Sequence, residues 1–417
     1  MSGLAMFNKV LGANTGPFAL LHRPEAQGPG RVEVLIGDTS HVDVLADIPL
    51  SDSVKTKGQA QHDALVLVPH RQVAERGFAA ANDGSPLIVL TVAEQGQVST
   101  QDVLKSLPDE AISLENAQFD IDDAAYADIV RGVLEDEIGT GAGSNFVIKR
   151  SFIADITDYS VNTALSLFRR LLVKEAGAYW TFVVHTGDRT FVGATPERHI
   201  SLKDGHAVMN PISGTYRYPE TGPDLSEIMT FLDDCKETDE LYMVLDEELK
   251  MMAQVCDGGG QVVGPFLREM ARLAHTEYYI EGRTTLDPRD ILRETLLAPT
   301  VTGSPLENAC RVVARYEPKG REYYGGVVAL IGREADNSRV MDSAILIRTA
   351  DITTSDDGQT GKMKVSVGAT LVRHSDAQSE VAETHTKAAG VLSALDVTET
   401  TTAAAAEQRC ANSAPTC

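Results

Sequence analysis

The order of extended and helical patterns along the chain is the strongest constraint on its fold. Residues 179–202 are predicted to form three strands joined by turns, because short runs rich in β-branched and aromatic residues alternate with turn residues. Further strands are predicted at Arg31–Ile36, Ala64–Val68, Leu87–Val92, Asn145–Phe152, Tyr323–Gly332, Ser343–Thr349 and Lys362–Val372. Apolar residues at helical spacing predict helices at 126–140, 161–175, Leu225–Val255 and from about Asp376 to Leu395. Because helices and strands do not alternate regularly, the pattern favours an α+β fold over a parallel doubly wound sheet.

The charge balance excludes several classes of partner. The chain carries 37 Lys and Arg against 60 Asp and Glu, a net charge of −23. Such a charge repels phosphate groups, so we expect no nucleic-acid partner and no anionic membrane partner. No apolar run reaches the roughly 18 residues that a membrane span needs, and the N-terminal stretch is a poor signal peptide. Five cysteines without a CxxC pair indicate neither a disulfide framework nor a zinc knuckle, and we expect a cytoplasmic protein.

Two pairs of glutamates have the same spacing in separate predicted helices. Glu237 and Glu240 are three residues apart, as are Glu380 and Glu383, and this spacing puts both carboxylates of a pair on one helix face. Either pair alone is typical of a solvated acidic face. Two pairs that converge would instead suit Mg²⁺, which takes one or two direct carboxylates and keeps several waters.

Five further side chains are candidates for chemistry or for binding an anion. Glu197 follows a predicted strand and would be a general acid if its surroundings raise its pKa; an exposed turn carboxylate is the alternative. Thr215 ends a small-residue turn that suits a carboxylate, and Arg348 lies in a predicted strand, where it is either exposed or bound to an anion. His275 is a proton carrier or a structural histidine, and Lys387 pairs with Glu383 or binds substrate.

Taken in order, these segments resemble the chorismate-binding enzymes, which include anthranilate, isochorismate and salicylate synthases. The resemblance covers roughly residues 125–395 and depends on the motifs TPER, PISGT, KETDE, PTVTGSP, YYGGVVALIG, ILIRT, VGATLV and SDAQSEVAETHTKA. Within the family, the phrases FALLHRP, GSNFVIKRSF, KETDELYMVLDEELKMM and LAHTEYYIEGR are most similar to the synthase domain of the phenazine type.

The resemblance implies a fold and a domain organisation. The family fold has two large antiparallel β-sheets packed as a sandwich, with peripheral helices. We therefore expect one synthase domain over residues 1–398, with an N-terminal part at 1–125 and a chorismate-binding core at 126–398. Residues 399–417 are low in sequence complexity and are predicted to be a disordered tail or a linker remnant.

The resemblance also assigns roles to residues. It implies that Glu240 and Glu383 ligate Mg²⁺ and that Glu237 and Glu380 support the ion, mostly through water. Glu197 would be the general acid that protonates the departing C4 hydroxyl of chorismate. His275 corresponds to the histidine that anthranilate synthases need for pyruvate elimination. Contacts to the substrate are implied for Thr215, Tyr324, Arg348, Gly368, Ala369, Thr370 and Lys387.

The nucleophile is predicted from the residue at the start of one strand. Isochorismate and salicylate synthases have a lysine there that activates water, and this chain has Asn145. An amide cannot act as a general base at neutral pH, whereas ammonia needs no such base, so the sequence favours amination over hydration. None of the five cysteines lies in a glutaminase elbow. We therefore expect free ammonia, or ammonia from a separate glutaminase subunit or a missing glutaminase domain.

Two departures from the tryptophan-pathway enzymes favour a reaction that stops at 2-amino-2-desoxyisochorismate (ADIC). The feedback segment LLES is replaced by Leu20, Leu21, His22 and Arg23, and Leu241 stands where the family usually has a histidine. The prediction is therefore Mg²⁺-dependent ADIC synthesis for secondary metabolism. The alternatives are an anthranilate synthase large subunit, an isochorismate or salicylate synthase, and a non-catalytic metabolite-binding relative. The oligomeric state is left open by the sequence, with a homodimer as one alternative.

Overall fold

The computed structural model describes most of the chain between residues 2 and 395. The described ranges are 2–12, 16–52, 59–175, 177–219, 222, 224–232, 235–269, 273–355 and 358–395. At 213–215, 217, 235–243, 269 and 273 the backbone is described and the side chain is not. The predicted tail at 399–417 lies outside the described residues.

Antiparallel strands dominate the described residues, and their pairings join them into one network. Strand β4 connects its two halves, because it pairs with β2 along one edge and with β3 along the other. The strands are β1 Phe18–His22, β2 Arg31–Val42, β3 Gln61–Val68, β4 Leu87–Ser99, β5 Leu114–Phe119, β6 Asn145–Ile156, β7 Trp180–His185, β8 Arg189–Thr195, β9 Arg198–Lys203, β10 His206–Met209, β11 Ile212–Arg217, β12 Gln261–Glu269, β13 Leu273–Arg283, β14 Gly303–Ser304, β15 Val327–Arg333, β16 Arg339–Ile345, β17 Thr349–Thr354 and β18 Gly361–Val372.

Helices cover the outer faces of the strands. Two of them, α7 and α11, carry the predicted glutamate pairs. The helices are α1 Gly3–Val10, α2 Pro24–Gln27, α3 Thr100–Ser106, α4 Asp123–Val133, α5 Val161–Lys174, α6 Leu225–Leu232, α7 Cys235–Val255, α8 Pro288–Thr295, α9 Pro299–Thr302, α10 Leu306–Tyr316 and α11 Ala377–Leu392.

The core is layered because side chains alternate between the two faces of each strand. On β3, Ala64, Val66 and Val68 pack into an outer core with helices α7, α8 and α10, whereas Leu65 and Leu67 face a central core. The central core also takes residues from β1, β2, β4, β7 and β15. On β1 the other face joins a second outer core with α1, α3 and α5. The result is helix, sheet, sheet, helix, which confirms the predicted α+β class.

Most predicted elements are present, and two predictions are wrong in detail. The continuous helix predicted over Leu225–Val255 is two helices, α6 and α7, with residues 233 and 234 between them outside the described part. Arg348 was predicted within a strand, but it lies between β16 and β17 with a left-handed φ of 50°. That conformation breaks the strand and turns the side chain away from regular alternation. Among the described residues, no helix is long and apolar enough to cross a membrane.

Candidate functional site

Glu197 lies in the turn between β8 and β9, and the turn is tied to strand β16. Its backbone carbonyl accepts a hydrogen bond from the Ile345 amide at 3.1 Å. The Thr195 hydroxyl donates to the Ile345 carbonyl at 2.7 Å. At the side chain, the Thr300 hydroxyl of α9 donates to Oε1 at 2.7 Å. Glu197 is 5% exposed, so the turn holds its carboxyl group inside the protein rather than in solvent.

The surroundings of Glu197 make it a group that can release a proton near neutral pH. Burial raises the pKa of its carboxyl to about 7, although the Thr300 hydrogen bond and the charges of Arg348 and Lys387 act to lower it. A general acid works best when its pKa is close to the operating pH. The predicted role therefore fits the observed environment, and the exposed-carboxylate alternative is wrong.

Arg348 lies in the turn between β16 and β17, which packs next to the turn that carries Glu197. Its carbonyl accepts from the Ala194 amide at 3.2 Å, which places the β16–β17 turn against the end of β8. Burial lowers the pKa of its guanidinium, while the charges of Glu175 and Glu197 act to raise it. Among the described residues, no hydrogen bond or ion pair is made by this guanidinium. A half-buried arginine in this state is suited to an anionic ligand.

Helix α11 and strand β18 bring a third set of groups to the site. Lys387 Nζ donates to the Gly368 carbonyl at 2.8 Å and lies 2.6 Å from Glu383 Oε1. The hydroxyl of Tyr324 lies so close to Gly368 that a Cβ added there would be 2.5 Å from it. Burial raises the pKa of Tyr324, and the charges of Glu383 and Glu197 contribute to the shift. Gly368 therefore has no room for a side chain, and its carbonyl is bound by Lys387.

Asn145 is the first residue of β6, where it pairs with Ser304 of β14 and Val372 of β18. It is buried. Lys149 lies opposite Gly368 farther along the same strand, and its Nζ donates to the Ser151 hydroxyl at 3.2 Å. The amide, rather than the lysine, thus occupies the strand end beside the segment that carries Thr300.

The remaining predicted residues are placed less completely. Ala369 and Thr370 follow Gly368 in β18. His275 is buried in β13 and pairs with Thr215 of β11, on the strands that α7 covers. The side chains of Thr215, Glu237 and Glu240 lie outside the described residues, so these predictions stay predictions.

Helix α11 carries the second glutamate pair as predicted. Glu380 is 8% exposed, and Glu383, about one turn along the helix, is bound to Lys387. A buried carboxylate needs a compensating cation or hydrogen bonds, and clustered carboxylates are the chemistry that Mg²⁺ prefers.

One buried carboxyl group near the site was missed. Glu248 of α7 is 3% exposed. Burial raises its pKa well above the usual range, and the charge of Glu197 adds to the shift, so the two carboxyls are neighbours. The signal in the sequence was its position: Glu248 falls in the apolar stripe formed by Leu241, Leu245 and Met252.

Comparison with known sequences gives a family match. A family model described as chorismate binding enzyme matches residues 58–393. A protein of Pseudomonas chlororaphis named "Anthranilate synthase, phenazine specific" is 58% identical over 390 residues, which cover 94% of this chain and 60% of that protein. Anthranilate synthase component 1 of Bacillus pumilus is 31% identical over 242 residues, 57% of this chain and 45% of that protein. The chain thus spans about 60% of the length of the phenazine-specific relative.

Solved structures with the same fold have low sequence identity to this chain. A 2,3-dihydroxybenzoate-specific isochorismate synthase from Bacillus anthracis superposes with a TM-score of 0.68 at 17% identity, covering 94% of this chain and all of that one. Anthranilate synthase component I from Streptococcus pneumoniae also gives 0.68, at 22% identity and 91% coverage of both chains. These similarities concern the fold alone.

Proposed function

The chain belongs to the chorismate-binding enzymes, as its motifs predicted, and we propose that it aminates chorismate at C2 with loss of the C4 hydroxyl group, giving ADIC. The observation that carries the proposal is Glu197, a buried carboxyl whose pKa of about 7 suits a general acid. Loss of a hydroxyl group requires a proton, because hydroxide is a poor leaving group. Protonation by Glu197 lets the group leave as water.

Two cationic side chains near Glu197 support an anionic substrate. Chorismate carries two carboxylates, and this protein has a net charge of −23. Arg348 and Lys387 both act electrostatically on Glu197, so they supply positive charge where the protein as a whole does not. The backbone at Gly368, Ala369 and Thr370 would supply further contacts, as the resemblance implies.

Mg²⁺ is part of the proposal. The buried Glu380 and the neighbouring Glu383 have the oxygen donors that Mg²⁺ prefers, so the described part of the donor set fits the ion. Glu240 and Glu383 would ligate it, with Glu237 and Glu380 in support. When bound, the ion would neutralise a substrate carboxylate and stabilise charge that develops during the reaction.

Amination rather than hydration is proposed from Asn145. The amide at the start of β6 cannot deprotonate water at neutral pH. Ammonia is itself a nucleophile, and we propose that it comes free from solution, from a separate glutaminase subunit or from a glutaminase domain. Asn145 would then contact the nucleophile rather than activate it.

A second candidate is anthranilate synthesis, in which pyruvate elimination follows amination. The buried His275 on the strands under α7 favours it, since elimination needs a proton carrier. A base that is misplaced by about 1 Å can lose on the order of a hundredfold in rate, so the presence of the histidine alone does not decide between the products.

The test is incubation with chorismate, MgCl₂ and ammonium chloride at mildly alkaline pH, with products separated by mass and fluorescence. We expect ADIC to accumulate with only a trace of anthranilate, and we expect EDTA to stop the reaction. Glutamine should not replace ammonium for the isolated chain. Anthranilate and pyruvate rising in step with chorismate loss would establish the second candidate. Predominant isochorismate, or undiminished turnover after EDTA, would contradict the proposal.

A further inference from the structure

Three buried side-chain oxygen atoms on neighbouring elements make no hydrogen bond with any described residue. They are Oε2 of Glu248, Oγ1 of Thr302 and Oδ1 of Asn145. The residues are 3%, 0% and 4% exposed, so water in bulk solvent does not satisfy them. Buried polar atoms without partners cost roughly 1–3 kcal/mol each, and in a native protein they call for an explanation.

The segment formed by α9 and β14 connects the three residues. Its Thr300 hydroxyl bonds to Glu197, and Thr302 ends α9 two residues later. Ser304 then pairs with Asn145 of β6 and lies 3.4 Å, Oγ to Oε1, from Glu247, the residue before Glu248. Helix α7 packs directly on α9 and β14. Thr302 therefore belongs to this short segment, Asn145 and Glu248 lie on elements that contact it, and its Thr300 holds the proposed general acid.

The chemistry of these atoms selects a class of ligand. A carboxylate oxygen and an amide oxygen only accept hydrogen bonds, and a threonine hydroxyl can accept as well. A ligand that satisfies all three must therefore bring several N–H or O–H donors. Ammonium has four N–H donors, is small, and carries the positive charge that a buried carboxylate needs. Chorismate is an anion and lacks the several N–H or O–H donors that these acceptors need.

We propose that Glu248, Thr302 and Asn145 bind the ammonium ion and that Glu248 takes up one of its protons. This inference rests on the proposed amination and assigns its second substrate a binding site. Residues to which the family resemblance gives no role, Glu248 and Thr302, would supply two of the three acceptors. Ammonium in neutral solution has no lone pair, so it must lose a proton before it can attack carbon.

The proton balance closes within the two neighbouring carboxyl groups. Glu248 accepts a proton from ammonium, and the resulting ammonia forms the C–N bond at C2. The C4–O bond breaks, and the hydroxyl leaves as water with the proton of Glu197. Glu248 then returns its proton to Glu197. The net change is ammonium plus chorismate to water plus ADIC with a protonated amine, and no oxidant or further reactant is needed. The positive charge of bound ammonium would favour the ionised form of Glu248, which is the form that accepts the proton.

The test separates the Michaelis constant for ammonium from that for chorismate. Glu248→Gln keeps the size of the side chain and removes the charge, so we expect the KM for ammonium chloride to rise at least about tenfold and kcat to fall. Thr302→Val should raise the same KM by about threefold, since one neutral acceptor is lost. The KM for chorismate should stay within about twofold in both variants.

Glu247→Gln is the matched control, because it changes the adjacent carboxylate, which lies 2.9 Å from Lys250 Nζ. All its constants should stay within about twofold of the unchanged protein. An unchanged KM for ammonium in Glu248→Gln, with the parent active, would overturn this inference and leave the proposed function standing. If Glu248→Gln does not fold, Thr302→Val decides by the same criterion. A parent protein that does not consume chorismate with ammonium would overturn both.

Discussion

Two buried clusters of charged residues in this molecule differ in whether their charges have partners. In the first, which we call the paired cluster, Arg23 contacts Glu33 through Nε at 2.7 Å and through Nη2 at 2.9 Å, and Asp342 through Nη1 at 2.6 Å. His62 lies 3.1 Å from Glu33. Burial alone would raise the pKa of Glu33, but His62 and Arg23 lower it to about 2.

The candidate site contains similar residue types, but there the pKa of the buried glutamate is raised instead of lowered. Glu197 is as deeply buried as Glu33, but its only described side-chain partner is the Thr300 hydroxyl, and its pKa rises to about 7. Within the described part of the chain, Arg348 and Lys387 act on it electrostatically without a hydrogen bond or ion pair to its carboxyl. A cation within hydrogen-bonding distance therefore decides the direction of the shift. The paired cluster contributes to holding the sheets together, and the site keeps its charges for a ligand.

The largest effect is expected from the acid itself. Glu197→Gln removes the proton donor while keeping the side-chain shape, so turnover of chorismate should fall by roughly 10²–10⁴-fold. The exposed Glu307 of α10 offers a control, since Glu307→Gln should leave turnover unchanged. Product formation under saturating Mg²⁺ and ammonium is the measurement. Retained turnover in Glu197→Gln would contradict the contrast between the paired cluster, whose charges have partners, and the site, whose charges serve a ligand.

Breaking the paired cluster should affect stability instead. Arg23→Met leaves Glu33 and Asp342 buried without their arginine, which should lower the free energy of unfolding by about 3–5 kcal/mol. Arg131 pairs with Asp128 on the surface of α4. Arg131→Met should therefore cost less than about 1 kcal/mol. Urea unfolding of the two variants makes the comparison, and equal losses would contradict it.

The smallest expected effect is a gain in stability rather than a loss, and it concerns Glu197. The folded pKa of Glu197 is about 7, above the ordinary value of 4.5. The folded protein thus holds the proton more tightly, and its stability falls as pH rises from about 4.5 to 7. Glu197→Gln should remove this cost and raise the free energy of unfolding by about 3 kcal/mol at pH 8. At pH 4 the same substitution should leave the free energy of unfolding unchanged. A loss of stability at pH 8 would show that Glu197 has a partner when folded.

Much of this architecture could be predicted from local pattern. The succession of strands and turns at 179–202 and the alternation of side chains on β3 follow from side-chain periodicity, which the sequence displays directly. The family motifs then located Glu197 and Lys387, whose surroundings fit the predicted roles. Asp376 caps α11, as expected from a short acidic residue before a helical pattern.

Other features depend on contacts between distant segments. The left-handed backbone at Arg348 has no glycine or asparagine to announce it, because the packing of the β16–β17 turn on β8 imposes it. Glu248 was overlooked since a carboxylate is normally assumed to face solvent. Its place in the apolar stripe of α7 indicates burial, but the segments that pack over it, α9 and β14, are distant in the sequence.

The position of α11 has a consequence for protein synthesis. It is the last α-helix among the described residues, and it supplies Glu380, Glu383 and the Lys387 contact to Gly368. A ribosome must therefore translate beyond residue 387 before these groups can meet Glu197, which was made about two hundred residues earlier. Incomplete chains carry the acid and the arginine without the glutamates and lysine of α11. An emerging polypeptide therefore cannot bring the α11 groups to Glu197 until residue 387 has been translated.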